Sequence, residues 1–292
     1  VKQFDRAAED VGNIVHLEHF NCVIDDQRLA VLFYVVGLGG TRDPYIFPGM
    51  ENIWLNFGRT QVHMPSRAVP PRFERLRGTA GFVVPSLEDL ERRLQHAEKE
   101  MKRVVGSSRD FSFVKKSDCI EATDPWGTRI RCHAPSPEYG KTELGLVYVD
   151  FDAPEGSAEG ISRFYNEVMK APAKAANGRC TVSIGRNQNL FFSETKERQP
   201  PYDGHHIQVY IQDFSGPYAW LRERGLVTME TDAHEWRFQW IVDPRDGAKL
   251  FQIEHEVRSM KHPLFNRPLV NRNPAITNTG YVAGHDAFRG TY

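Results

Sequence analysis

The chain has 292 residues, carries 37 Lys+Arg against 38 Asp+Glu, and is 40% hydrophobic and 11% aromatic. A formal net charge of −1 offers no long-range attraction to duplex nucleic acid or an anionic membrane. The longest apolar run, residues 29–36, is far short of the ~20 residues that span a bilayer. In chain order, residues 17–24 alternate as a strand, and Leu29, Leu32, Phe33 and Val36 follow at helical spacing. Short strands are expected at 53–57 and 61–64, then at 80–84. The clearest helix is 86–101, with Leu87, Leu90, Leu94, Ala97 and Met101 on one face, Ser86 as its N-cap and Asp89 three residues on. The turn Asp124-Pro125-Trp126-Gly127 leads into a strand at 130–132, and a further strand is expected at 146–151. Ile161, Phe164, Tyr165 and Val168 mark a third helix, and strands at 207–211, 237–242 and 249–254 follow. The tail, 259–292, carries Pro263, Pro268 and Pro274 and reads as coil, with Leu264, Phe265, Leu269 and Val270 apolar enough to dock.

Internal repetition organises these elements. Gly58-Arg59-Thr60-Gln61 recurs as Gly185-Arg186-Asn187-Gln188, and Phe33-Tyr34 as Phe164-Tyr165. The Asp-Pro turn at Asp124 recurs at Asp243-Pro244-Arg245-Asp246-Gly247. The chain therefore divides into halves at 1–140 and 141–258, each of two β-α-β-β-β units, with 259–292 outside them. Cys22, Cys119, Cys132 and Cys180 include no C-x-x-C pair and read as reduced core thiols of a cytoplasmic protein. Arg129 and Arg131 read as an ion pair on an edge strand.

Four such units, with the phrases Leu-Glu-His-Phe-Asn-Cys-Val-Ile-Asp-Asp from Leu17, Phe-Tyr from Phe33, Gly-His-His-Ile-Gln-Val from Gly204 and the Asp-Pro turns, resemble the vicinal oxygen chelate superfamily. This is the group of glyoxalase I, type I extradiol dioxygenases and bleomycin-resistance proteins. The resemblance implies an α+β fold of four βαβββ modules in two cup-shaped mixed β-sheets with flanking helices. It also implies metal ligands on the first and last strands of paired modules. The matching positions are His19 and His63 in the first module and His206 and Glu254 in the fourth. His206 stands seven residues before Asp213, as His19 stands seven before Asp26, and this spacing favours it over His205. Because the second and third modules offer no usual ligand, the first and fourth are expected to face one metal. That departs from the extradiol family, whose ligands fall in the third and fourth modules.

The expected ligands are His19, His206 and Glu254, with His63 either a fourth ligand or a base and Tyr210 a group that supplies a proton or orients an oxyanion. Glu254 falls seven residues after Gly247 where the family places its carboxylate four after, at Phe251, so either the strand starts late or Glu254 is not a ligand. Imidazole with carboxylate suits Fe2+, with Mn2+, Ni2+ and Zn2+ as alternatives. The leading expectation is an Fe(II) dioxygenase taking O2 and a catechol-like or related small organic substrate. A glyoxalase-type Lewis-acid isomerase or lyase and a non-catalytic small-molecule binding protein are the other two. Strand edges of this fold are compatible with a homodimer.

Overall fold

A computed structural model of the chain describes residues 9–46, 49, 51–67 and 73–288. The four modules appear in the expected order. The first comprises β1 (Ile14–Asn21), α1 (Gln27–Ala30), β2 (Thr41–Arg42), β3 (Asn52–Phe57) and β4 (Thr60–Pro65). The second comprises β5 (Gly78–Val83), α2 (Leu87–Val104), β6 (Ser112–Lys115), β7 (Cys119–Thr123) and β8 (Arg129–His133). The third has β9 (Gly145–Pro154), α3 (Ala158–Arg163), β10 (Ala173–Ala176), β11 (Arg179–Ile184) and β12 (Gln188–Thr195). The fourth has β13 (His206–Ile211), α4 (Ser215–Glu223), β14 (Val227–Thr231), β15 (Glu235–Val242) and β16 (Lys249–Ser259). The strands form two eight-stranded mixed sheets, in the orders β14-β15-β16-β13-β1-β4-β3-β2 and β10-β11-β12-β9-β5-β8-β7-β6. The fold class is the expected α+β one.

Chain packing divides the protein into two units. One contains the described residues of Val1–Leu17 with Asp150–Tyr202 and Ile207–Phe265. The other contains Glu18–Val149, Asp203–His206 and the described residues of Asn266–Tyr292.

Local chemistry explains the elements. Ser86 Oγ accepts the Asp89 N–H at 3.1 Å, and of the expected apolar stripe of α2 Leu90, Leu94, Ala97 and Met101 are fully buried while Leu87 is half-buried. Each buried Leu or Met contributes roughly 1.5–3 kcal/mol over its exposed state. The helix closes on the first module at Gly37, where an added Cβ would stand 3.2 Å from Leu94 Cδ2. The aspartates seven residues beyond His19 and His206 bind helix starts: Asp26 Oδ1 accepts the Arg28 N–H at 2.9 Å, and Asp213 Oδ1 accepts the Gly216 N–H at 3.0 Å. In both halves the short α-helix widens into a π-helical stretch, Val31–Gly37 after α1 and Phe164–Met169 after α3. These stretches carry the repeated Phe-Tyr pair. Tyr34 Oη donates to Asp124 Oδ2 at 2.9 Å, and Tyr165 Oη donates to His255 Nε2 at 2.7 Å.

Two expectations need adjusting. Arg129 and Arg131 are not on an edge strand, because β8 runs between β5 and β7, and Arg131 Nη2 donates to its cross-strand partner Glu121 at 2.8 Å. Beyond Ser259 and apart from the Arg272–Ala287 bridge, the described residues of the tail form no helix or strand, yet the tail is docked on the first module. Asn271 Nδ2 donates to the Gly58 carbonyl at 2.8 Å and Asn271 Oδ1 accepts the Gly58 N–H at 2.9 Å, copying a strand's two bonds with one side chain. Arg267 Nη2 meets Asp43 Oδ2 at 2.7 Å, and Asn56 Nδ2 donates to the Val270 carbonyl at 2.9 Å. All four cysteines are buried free thiols. Among the described residues no helix is long and apolar enough to cross a membrane.

Candidate metal centre

The centre is set by strand register. β1 and β4 pair in parallel with His19 opposite Gln61 and Asn21 opposite His63. β3 and β4 pair antiparallel with Trp54 opposite His63 and Asn56 opposite Gln61. Residues in register share a face, so His19, Asn21, Trp54, Asn56, Gln61 and His63 form one polar wall, nearly all of it buried. His206, the first residue of β13, joins that wall: its ring centroid lies 5.9 Å from that of His19, and the His63 centroid lies 5.8 Å from it. One nitrogen from each of His19, His63 and His206 falls within 4.8 Å of the others. Three imidazoles gathered in this way are the donor chemistry of a first-row divalent ion.

The three histidines are held differently. His19 Nδ1 faces Glu18 Oε2 at 3.4 Å, a carboxylate contact that selects the tautomer with Nε2 as the lone-pair nitrogen. His63 is clamped: Asn21 Nδ2 donates to Nδ1 at 2.6 Å, and Nε2–H donates to Asn52 Oδ1 at 2.8 Å. The Trp54 indole stacks on it at 3.8 Å with planes 16° apart. His63 can bind a metal only by giving up one asparagine. The neighbouring His205 is used inside the fold, with Nδ1 donating to Asp203 Oδ1 at 2.6 Å and Nε2 accepting the Arg77 N–H at 3.4 Å. Burial lowers its pKa, opposed by Asp203.

The other two expected site residues belong to the other unit. Tyr210 is fully buried on β13, its ring 5.0 Å from Phe265 and 6.2 Å from His262. Glu254 Oε1 accepts from Arg237 Nη1 at 2.9 Å and Oε2 from Gln239 Nε2 at 3.1 Å. Arg237 also pairs with Glu235 at 2.8 Å and Glu256 at 2.6 Å. The β15–β16 ladder shifts register twice, between Ile241 and Val242 and between Phe238 and Trp240, each time leaving an extra residue on β16. Those bulges lengthen the path from Gly247 to Glu254. Trp240 pairs with Gln252 as Trp54 pairs with His63, so Gln252 is the register counterpart of His63.

Sequence reading missed the asparagines and the acidic residues around the histidines. Asn52 and Glu18 each lie beside a residue already singled out, but only register shows which ring they face. Glu74 is a further case: it is buried, Oε2 accepts the Val23 N–H at 2.9 Å, and burial raises its pKa. No periodic signal marks a loop carboxylate.

No family model matches the sequence, and no curated protein does. Solved structures do. A candidate dioxygenase of Bacillus subtilis superposes with a TM-score of 0.56 over 86% of each chain at 12% identity. Glyoxalase I from Zea mays gives 0.52, covering 84% of this chain and 92% of that one at 13% identity. A point mutant of the same maize enzyme gives 0.53, over 86% and 96%, at 12% identity. Identities this low speak to architecture alone. With four βαβββ modules in two mixed sheets and these structural neighbours, the chain has the fold of the vicinal oxygen chelate superfamily.

Proposed function

We propose that the protein is a metal-dependent enzyme, and specifically an Fe(II) dioxygenase of extradiol type acting on a catechol-like or related small organic substrate. The observation that carries this reading is the convergence of His19, His63 and His206 on a buried polar wall. In the proposed site His19 and His206 hold the ion, two imidazoles that leave positions open. When bound, such an ion supplies Lewis acidity and, as iron, the redox chemistry a dioxygenase needs. The protein's own groups do the rest. His63 keeps a proton on Nε2 against Asn52 and presents Nδ1 to Asn21, so a substrate hydroxyl that displaces the Asn21 amide meets a basic nitrogen. Trp54 fixes the plane of that ring and lines the wall with an aromatic face that suits an aromatic substrate.

The presence of His63 in the cluster supports a second reading, in which it replaces Asn52 or Asn21 by metal and the additional protein ligand favours glyoxalase-type isomerase or lyase chemistry. Anaerobic purification of wild type beside His206→Ala, followed by metal analysis and oxygen uptake, separates the readings. About one iron per chain, lost in the variant, with oxygen uptake on catechols supports the dioxygenase. Nickel, zinc or manganese without oxygen uptake supports the isomerase. No metal even after reconstitution refutes both and leaves a binding protein.

A further inference from the structure

His206 is the first residue of β13, and a metal ligand must be held within about 0.5 Å of its working position. The segment before it, Asp203–His206, folds with the first two modules and not with the rest of its own module. What holds it there is the stretch 74–77. Asp203 Oδ2 accepts the Arg75 N–H at 2.8 Å. Asp203 Oδ1 accepts Nδ1–H of His205 at 2.6 Å and the His205 N–H at 3.3 Å. His205 Nε2 in turn accepts the Arg77 N–H at 3.4 Å. Between these bonds Gly204, at φ +113, turns its bare Cα to Glu74, where an added Cβ would lie 2.7 Å from Oε1. Glu74 also bonds the end of the strand that carries His19: its N–H donates to the Val23 carbonyl at 2.8 Å and its Oε2 accepts the Val23 N–H at 2.9 Å.

We propose that Glu74, Asp203 and His205 form a clip that positions His206 against His19, so that Asp203 is a positioning residue for the metal centre although it touches no ligand atom. This rests on the metal reading above. Glu74 and Arg75 are consecutive, and their bonds reach Val23, four residues past His19, and Asp203, three before His206. One rigid stretch therefore sets the offset between the two ligand strands. Hydrogen-bonding partners of this outer kind change metal affinity by about 10–100-fold when lost.

The test uses cobalt(II) as the probe, titrated into metal-free full-length protein and read by its visible absorption, with thermal unfolding of the metal-free form alongside. Wild type and His206→Ala test the metal reading, Asp203→Asn and Asp203→Ala the clip. Asn has one acceptor oxygen where Asp uses two, so Asp203→Asn must turn its NH2 toward either the Arg75 N–H or the His205 ring. Ser86→Ala removes the α2 cap in the second module, lowers the unfolding midpoint, and controls for a purely structural loss. The expected result is tight cobalt binding by wild type and Ser86→Ala, none by His206→Ala, and affinity about 10–100-fold weaker with a changed absorption band for Asp203→Asn. Wild-type affinity and spectrum in Asp203→Asn overturn the clip. Absence of cobalt binding by wild type overturns the metal reading, and the clip with it. If Asp203→Ala fails to fold, Asp203→Asn decides alone.

Discussion

Asp124 offers the sharpest test of the fold's energetics. Its carboxyl is fully buried at the Asp-Pro turn of the second module, where Oδ1 accepts the Trp126 and Thr128 N–H groups at 2.9 and 2.8 Å and Oδ2 accepts the Tyr34 hydroxyl at 2.9 Å. Burial outweighs these bonds and lifts the pKa from 3.8 to about 6. A folded-state value above the unfolded one means that the native state holds the proton more tightly. The stabilisation is therefore fully present below 3.8 and is lost as pH rises through about 6. A shift of this size corresponds to about 3 kcal/mol at most. Asp124→Asn keeps the shape and cannot titrate. Urea unfolding of wild type and Asp124→Asn from pH 4 to 7.5 should show the wild type losing about 2–3 kcal/mol relative to the variant, mostly below pH 6.5. Taking the difference cancels the carboxyls that shift the other way, such as Asp25 and Asp43. Parallel profiles for the two proteins would refute the argument that burial dominates at this turn.

Two further outcomes follow from contacts already described. Arg267→Ala leaves the Asp43 carboxylate, whose side chain is 0% exposed, without its cation. A loss of about 3 kcal/mol is expected, read as a lower unfolding midpoint together with earlier proteolysis of the tail. His63→Ala should retain iron at wild-type stoichiometry and lose turnover by about 10²–10⁴-fold if His63 is a base, whereas loss of iron would identify it as a ligand.

The fold was legible because it is written four times. The Phe-Tyr and Asp-Pro repeats are packing and turn signals, and their partners differ between the halves: Tyr34 bonds Asp124, whereas Tyr165 bonds His255 and Asp243 takes Arg163. Helix 86–101 was readable from its cap and stripe, since local bonds and burial agree there. The first and fourth modules could be assigned to one sheet only by asking where the histidines fell. Other features were hidden for physical reasons. The bulges of β16 depend on how two strands slip against each other, which no spacing records. The docking of the tail rests on Asn271 and Arg267, polar residues that in a Pro-containing segment look like those of any solvated coil. The clamp on His63 comes from Asn21 and Asn52, which lie 42 and 11 residues away in sequence.

The widened helices carry a different kind of information. A π-helical turn holds one residue more than an α-turn, and each step along an α-helix turns the chain by about 100°. Removing one residue from Val31–Gly37 would restore ordinary helix bonding but swing everything on one side of the cut by that angle. Tyr34 and Asp124, or Gly37 and Leu94, would then no longer meet. The surplus residue is thus locked in by its neighbours and can be lost only together with them. The other half keeps the same widening at Phe164–Met169, over the same Phe-Tyr pair, so a one-residue deletion there would likewise part Tyr165 from His255.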